Sequence, residues 1–247
     1  MEYRYERDKE NYEDYASGRV LYNAHGTTAF PVRLASEIIQ RCFQVLVAKG
    51  SKGPYSIYDP CCGGAYLLTV VGLLHSEHIQ SIYASDINED VLGIAEKNLS
   101  LLSAAGIDKR KEQIQEYIKL YNKASHVSAL ESAERLSHLI EGSSIENVTA
   151  FQSDITASDY NKVMHHSVNI VITDLPYGDI VTWRSDSPDP LNNFFEHAYD
   201  LLEGSHSVLA VIADKSQKLK HEKFRRIEFV KIGKRQMAIF EPIIASN

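Results

Sequence analysis

Hydrophobic and polar positions change period several times along the chain, and each change marks an element. Apolar residues at 34, 38, 42, 45 and 46 recur with helical spacing and predict a helix over 32–48, with Pro31 suited to its first turn. Short β-branched and aromatic runs follow at 55–58 and 79–84, each succeeded by a helical pattern, over 64–74 and 88–105. Asn88 is suited to cap the second of these helices, with acids at 89 and 90 in its first turn. Runs at 148–152, 168–173 and 208–213 predict three further strands, and 229–232 with 236–240 read as a closing antiparallel hairpin around Gly233. Strands alternating with helices imply an α/β fold, one domain over 1–247 on a largely parallel sheet.

Two stretches depart from that rhythm. Residues 1–30 are polar and tyrosine-rich with little period, and predict an N-terminal arm or cap. Residues 107–144 are charged and helical with no strand signal, where ordinary spacing places the next strand within about 20–30 residues of the preceding helix start. They read as a helical hairpin inserted between the second and third strands, with an apolar face at Ile114, Ile118, Tyr121, Leu130, Leu136 and Ile140. A packing element and a substrate-recognition appendage are both consistent with it.

The chemistry concentrates where strands end. After Val168–Ile172 comes Thr173-Asp174-Leu175-Pro176-Tyr177-Gly178. Pro and Gly cannot continue the strand, so a tight loop forms at its carboxyl end, where open α/β sheets bind ligands. This loop holds a carboxylate, a backbone carbonyl free of sheet pairing and an aromatic ring, which are the groups needed to grip a planar amino group and stack on its ring. A second loop, Asp59-Pro60-Cys61-Cys62-Gly63-Gly64-Ala65, follows the first strand, and its small residues permit close backbone approach to a ligand. Asp86 ends the next strand, the usual place for an acid that holds ribose hydroxyls. A dinucleotide is the alternative ligand, but Gly-x-Gly-x-x-Gly is absent, and Asp59 beside the turn repels a pyrophosphate. S-adenosylmethionine, with a sulfonium, an ammonium and no phosphate, suits that acid better.

Composition narrows the picture. The three cysteines form no disulfide framework and no zinc-ligand pattern, which points to packing rather than metal binding, and to a cytoplasmic location. No apolar run reaches membrane-spanning length, and the first residues lack an apolar signal core. The net charge of −7 argues mildly against nucleic acid, but 215–235 carries nine basic residues against Glu222 and Glu228. Within it Lys215, Lys218 and Lys220, together with Arg33 and Arg184 near the site loops, are candidate RNA contacts.

The same motifs, with Ser85-Asp86-Ile87-Asn88, Ala95, Asn98, Gly106 and the segment Ala29–Ala35, resemble the S-adenosylmethionine-dependent RNA methyltransferases that modify guanine amino groups. Within them the chain is most similar to the avilamycin-resistance 23S rRNA methyltransferases, over roughly residues 20–242. The resemblance implies a Rossmann-like class I methyltransferase fold with a seven-stranded mixed sheet, one strand reversed, and helices on both faces. It implies 23S rRNA or the large ribosomal subunit as partner, and a link to antibiotic resistance. Two positions depart from the pattern: Ala65 stands where related enzymes usually have Gly, and Leu175 where many amino methyltransferases have Pro.

Roles follow from these positions. Asp59 is expected at the methionine ammonium, with the backbone of Cys61, Gly63 and Gly64 bordering the cofactor. Asp86 is expected at the ribose, Ile87 against adenine, and Asp154, after the third strand, at the adenine amino group. Asp174 and the Leu175 carbonyl would accept the two hydrogens of an exocyclic guanine amine, with Pro176 shaping the loop and Tyr177 stacking on the base. The same loop could instead grip a glutamine amide of a protein, and the chain could also be an S-adenosylmethionine-binding scaffold without turnover.

Overall fold

In the computed structural model, which describes residues 2–23, 29–160, 167–176, 185 and 187–244, seven strands form one sheet. They are β1 (Tyr55–Asp59), β2 (Ile79–Asp86), β3 (Asn147–Gln152), β4 (Ile170–Asp174), β5 (Val208–Asp214), β6 (Phe224–Ile232) and β7 (Arg235–Pro242). The order is β3-β2-β1-β4-β5-β7-β6. All neighbours are parallel until β7, which pairs antiparallel with both β5 and β6. The strand order reverses between β1 and β4, so the crevice above their carboxyl ends is the natural ligand site.

Helices α1 (Val32–Ala48), α2 (Tyr66–Leu74) and α3 (Glu89–Ser100) cover one face, and α6 (Pro190–Leu201) covers the other. Alternate strand residues therefore enter two cores. Ile170 and Ile172 pack toward α1 and α2, while Val168 and Val171 pack with Phe194 and Phe195 of α6. Burial on both faces is why β4 reads as a continuous apolar run rather than an alternating one. The insertion is a hairpin of α4 (Ala104–Tyr121) and α5 (Ala124–Leu139), whose Ile107, Ile114, Ala129, Ala133 and Leu136 extend the first core.

The helix expected over 88–105 ends at Ser100, and α4 starts at Ala104. A side chain at Gly106 would meet the Ser100 carbonyl oxygen at 1.9 Å, so glycine allows α4 to start against the end of α3. Ser103 caps the new helix by accepting from the Gly106 N–H at 3.2 Å. Strand β6 begins at Phe224, five residues before the expected hairpin start, which places Arg225 and Arg226 in an edge strand, where charge discourages pairing with other chains. Helix α6 is absent from the hydrophobic-pattern reading, although Asp189 before Pro190 is a readable start.

The arm is tied down by buried polar groups. The fully buried Glu37 carboxylate accepts from the backbone N–H groups of Arg4, Tyr5 and Glu6 at 2.8, 2.9 and 3.0 Å, and pairs with Arg41. Burial alone would raise its pKa, but these donors outweigh it and hold the carboxyl below the usual range. Arg110 donates to the Val20 carbonyl at 2.9 Å, so the arm also rests on the hairpin.

Candidate active site

Three carboxylates stand at the carboxyl ends of three adjacent strands: Asp59 on β1, Asp86 on β2 and Asp174 on β4. Asp59 is only 3% exposed, and burial pushes its pKa up to about 7. The Thr173 hydroxyl and the Cys61 N–H, the latter at 3.0 Å, work against the rise, while the charges of Asp86 and Asp174 add to it. A half-buried cluster of like charges repels phosphate and favours a cation, which decides against a dinucleotide.

The loop after β1 is built for close approach. Cys62 N–H donates to the Ser85 carbonyl and Gly63 N–H to Asp86 Oδ2, both at 2.9 Å, which fastens the loop to the end of β2. The other oxygen of Asp86 accepts from Asn88 N–H at 2.9 Å. Gly63 and Ala65 both take left-handed backbone angles, φ 51° and 54°. For Ala65 that conformation costs about 1 kcal/mol, and the residue is fully buried at the start of α2. Ala65, the departure from the expected Gly, is thus a position where this chain tolerates local strain. The Gly64 carbonyl accepts from the Asn98 amide at 2.8 Å.

On the far side, Ile87 is 37% exposed at the end of β2, an apolar surface where a flat ring would pack. Its carbonyl accepts from Gln152 Nε2 at 3.1 Å. Asp154 Oδ1 accepts from the Thr156 N–H and hydroxyl at 2.8 and 2.6 Å, so one carboxylate oxygen organises its own turn. Burial raises both the Cys61 and Cys62 thiols far above their usual range, which makes them packing groups rather than nucleophiles. Among the described residues, no group of His, Cys, Asp and Glu could hold a metal ion. The donor set fits S-adenosylmethionine: a buried acid for the ammonium, a glycine turn for close backbone approach, an acid at the ribose position and an exposed isoleucine for adenine.

At the acceptor side, Asp174 Oδ2 lies 3.5 Å from Nη1 of Arg235, the first residue of β7. Leu175 N–H donates to the Ile212 carbonyl at 2.9 Å and its side chain is buried, so the peptide that follows Asp174 is rigidly placed. The Pro176 carbonyl accepts from Gln217 Nε2 at 3.5 Å. Tyr177 and Arg184 lie outside the described residues. Lys215 follows the carboxyl end of β5, with exposed Lys218 and Lys220 just beyond it. Arg33 lies in the first turn of α1, three residues after Phe30, whose ring faces Arg235. Arg33 donates to the carbonyls of Glu6 and Arg7 and covers the Tyr3 ring at 3.9 Å, so an RNA phosphate would compete with the arm for it. Arg235 carries site geometry that sequence patterning does not single out, because its partner Asp174 is distant in the chain.

A family model described as rRNA methyltransferase AviRa matches residues 1–235. The 23S rRNA (guanine(2535)-N(1))-methyltransferase of Streptomyces viridochromogenes is 35% identical over 241 residues, covering 96% of this chain and 94% of that protein. The crystal structure of rRNA methyltransferase aviRa from the same organism at 1.5 Å superposes with a TM-score of 0.83 at 34% identity, covering 97% and 96% of the two chains. TrmN from Thermus thermophilus shares the fold at 14% identity, with a TM-score of 0.53 over 89% of this chain and 51% of its own.

Proposed function

The chain belongs to the AviRa family of rRNA methyltransferases, and from that premise we propose that it methylates a guanine of 23S rRNA on the Watson–Crick edge, at ring N1. It is an S-adenosylmethionine-dependent methyltransferase of the class I fold. The exocyclic amine expected from the sequence is the neighbour of N1 on the same edge. The curated relative is named for N1, which moves the expected target by one atom.

The observation that carries this reading is the Asp174–Arg235 pair at the end of β4. Guanine presents O6, N1–H and N2–H in a row. A guanidinium suits O6, a carboxylate suits N1–H, and the Leu175 carbonyl suits N2–H. Adenine presents the opposite pattern on this edge, a donor at the six position and a bare N1. When bound, S-adenosylmethionine supplies an activated methyl group on a sulfonium. The protein must align N1 with that carbon and take away its proton. Asp174 would take the N1–H proton, and the methyl carbon would exchange its bond to the sulfonium sulfur for one to N1, leaving a neutral thioether. The charge that develops toward O6 is met by Arg235, an electrostatic contribution that grows toward the transition state. The base must leave its stack to reach the loop.

Lys215, Lys218 and Lys220, near this edge, are suited to the RNA backbone. Asp59, Cys61, Gly63, Gly64, Asp86, Ile87 and Asp154 form the cofactor side of the reading. The test is tritium transfer from labelled S-adenosylmethionine to unmodified 23S rRNA, large subunits, tRNA and total protein, followed by nucleoside digestion. 1-Methylguanosine from 23S rRNA is expected. N2-methylguanosine would return the target to the exocyclic amine, and label in protein alone would overturn the RNA assignment in favour of a glutamine acceptor.

A further inference from the structure

The α4–α5 hairpin ends in an exposed aromatic cluster that the site does not use. Leu120 and Tyr121 are 71% and 59% exposed, and Tyr117 and Val127 are 41% and 45% exposed. Tyr117, Tyr121 and His126 group around the turn, with ring centroids 5.7 to 6.3 Å apart. Lys123 Nζ stands 5.9 Å from the Tyr121 ring. In a soluble surface, four large apolar groups concentrated at one tip signal an interaction site rather than scattered exposure.

The hairpin's orientation follows from contacts at two levels. At its lower end the Leu139 carbonyl accepts from Ser76, just before β2 begins. Higher up, Ser132 donates to Asp14 at 2.7 Å, and the next arm residue, Tyr15, accepts at its carbonyl from Tyr66 at the start of α2. Ser132 is therefore level with the start of α2, which directly follows the cofactor loop. The eight residues from Ser132 back to Ala124 carry the helix about 12 Å further in the same direction. The tip thus projects beyond the carboxyl ends of the strands, on the side where substrate arrives.

We propose that this tip is an RNA-docking surface that stacks an unpaired segment of the substrate RNA on Tyr117 and Tyr121, with Lys123 at its phosphates. The inference rests on the rRNA reading above. Aromatic rings beside lysines are the chemistry that binds single-stranded RNA without base-specific hydrogen bonds. Charge agrees: residues 117–127 contain two lysines and no acid, in a chain of net charge −7. Glu116 precedes this stretch by one residue. A purely apolar protein partner would gain nothing from the lysines.

The experiment compares the full-length protein with Tyr117→Ala/Tyr121→Ala and Lys123→Glu, using naked 23S rRNA and intact large subunits. The expected result is a KM for naked rRNA raised about tenfold or more, with kcat, S-adenosylmethionine affinity and melting temperature near wild type. An unchanged KM on naked rRNA would overturn the proposal. An effect confined to intact subunits would also overturn it, assigning the tip to a ribosomal protein. A photo-crosslinking p-benzoylphenylalanine in place of Leu120 gives a readout independent of turnover. Adducts with 23S rRNA support the tip even if methylation fails on the substrates tried, whereas absence of methylation alone counts against the rRNA reading and not against docking.

Discussion

Asn98 holds Gly64 from beneath the cofactor loop: its buried amide donates to the Gly64 carbonyl at 2.8 Å and to the Tyr22 carbonyl at 3.0 Å, while its oxygen accepts from Tyr22 N–H at 2.7 Å. One side chain thereby sets both the glycine turn and the end of the arm. Asn98→Ala leaves the Gly64 carbonyl without this donor, a cost of about 1–3 kcal/mol. Calorimetric titration is expected to show S-adenosylmethionine affinity reduced roughly tenfold, with a lower melting temperature. Affinity equal to wild type would mean that the turn is fixed by its ties to β2 alone.

Asp174 is assigned to the acceptor rather than to the cofactor. Asp174→Ala is expected to abolish turnover while S-adenosylmethionine binding stays near wild type. Loss of cofactor binding in that variant would transfer the residue to the cofactor site.

Arg235 is expected to act on the developing charge at O6. Arg235→Met should lower kcat by about 100-fold, the size seen when one donor to a developing oxyanion is removed. If N1–H ionisation limits turnover, kcat should rise with pH, and in the variant that rise should move to higher pH, because N1–H is harder to ionise without the cation. A variant with lower kcat and an unmoved pH profile would indicate a packing role beside Phe30, whose ring the guanidinium faces at 5.7 Å.

Asp59 makes cofactor affinity depend on pH. Burial raises its pKa to about 7, and a cationic ligand favours the ionised form, so binding releases a proton below that value. Affinity is expected to rise between about pH 5 and 7 and then level. Titrations in buffers of different ionisation enthalpy should detect the released proton. Asp59→Asn should weaken binding and flatten the profile. In the ligand-free protein the raised value has the opposite consequence: the contribution of Asp59 to stability is fully present below the ordinary aspartate range and is lost as pH rises toward 7.

Glu37 gives the arm its own acid sensitivity. Its pKa is lowered in the folded protein, so its contribution is present above the ordinary glutamate value and is lost as pH falls through the lower folded value. Glu37→Gln removes the charge that faces three N–H groups and Arg41, a loss of about 3 kcal/mol for a broken buried pair. Limited proteolysis should then cut within the first residues far faster than in wild type, with the sheet intact.

Much of this molecule was readable from the chain because the information is local. Helix α1, with apolar positions on one stripe, runs over the expected 32–48. Strands β1 to β5 lie where short β-branched runs predict them, and the site loops follow because Pro and Gly end strands wherever they stand. The family was legible from the motif loops, and the matching family model and the 35% identical relative bear it out. The break at Ser100–Ala104 was not legible, since it depends on how closely Gly106 must pass the Ser100 carbonyl. Nor was the N1 target for which the 35% identical relative is named, since neighbouring positions on one edge ask for similar donors and acceptors.

The sequence by itself determined the alternation of strands and helices, the acids at strand ends and the glycine turn beside Asp59, because each depends on neighbours within a few residues. Only the tertiary structure decided that Arg235 faces Asp174, that Asn98 carries Gly64, that Arg33 serves the arm and that the hairpin packs between Ser76 and the arm. Those relations join residues far apart in the chain, and they exist only once the sheet order and its two packed faces bring distant segments into contact.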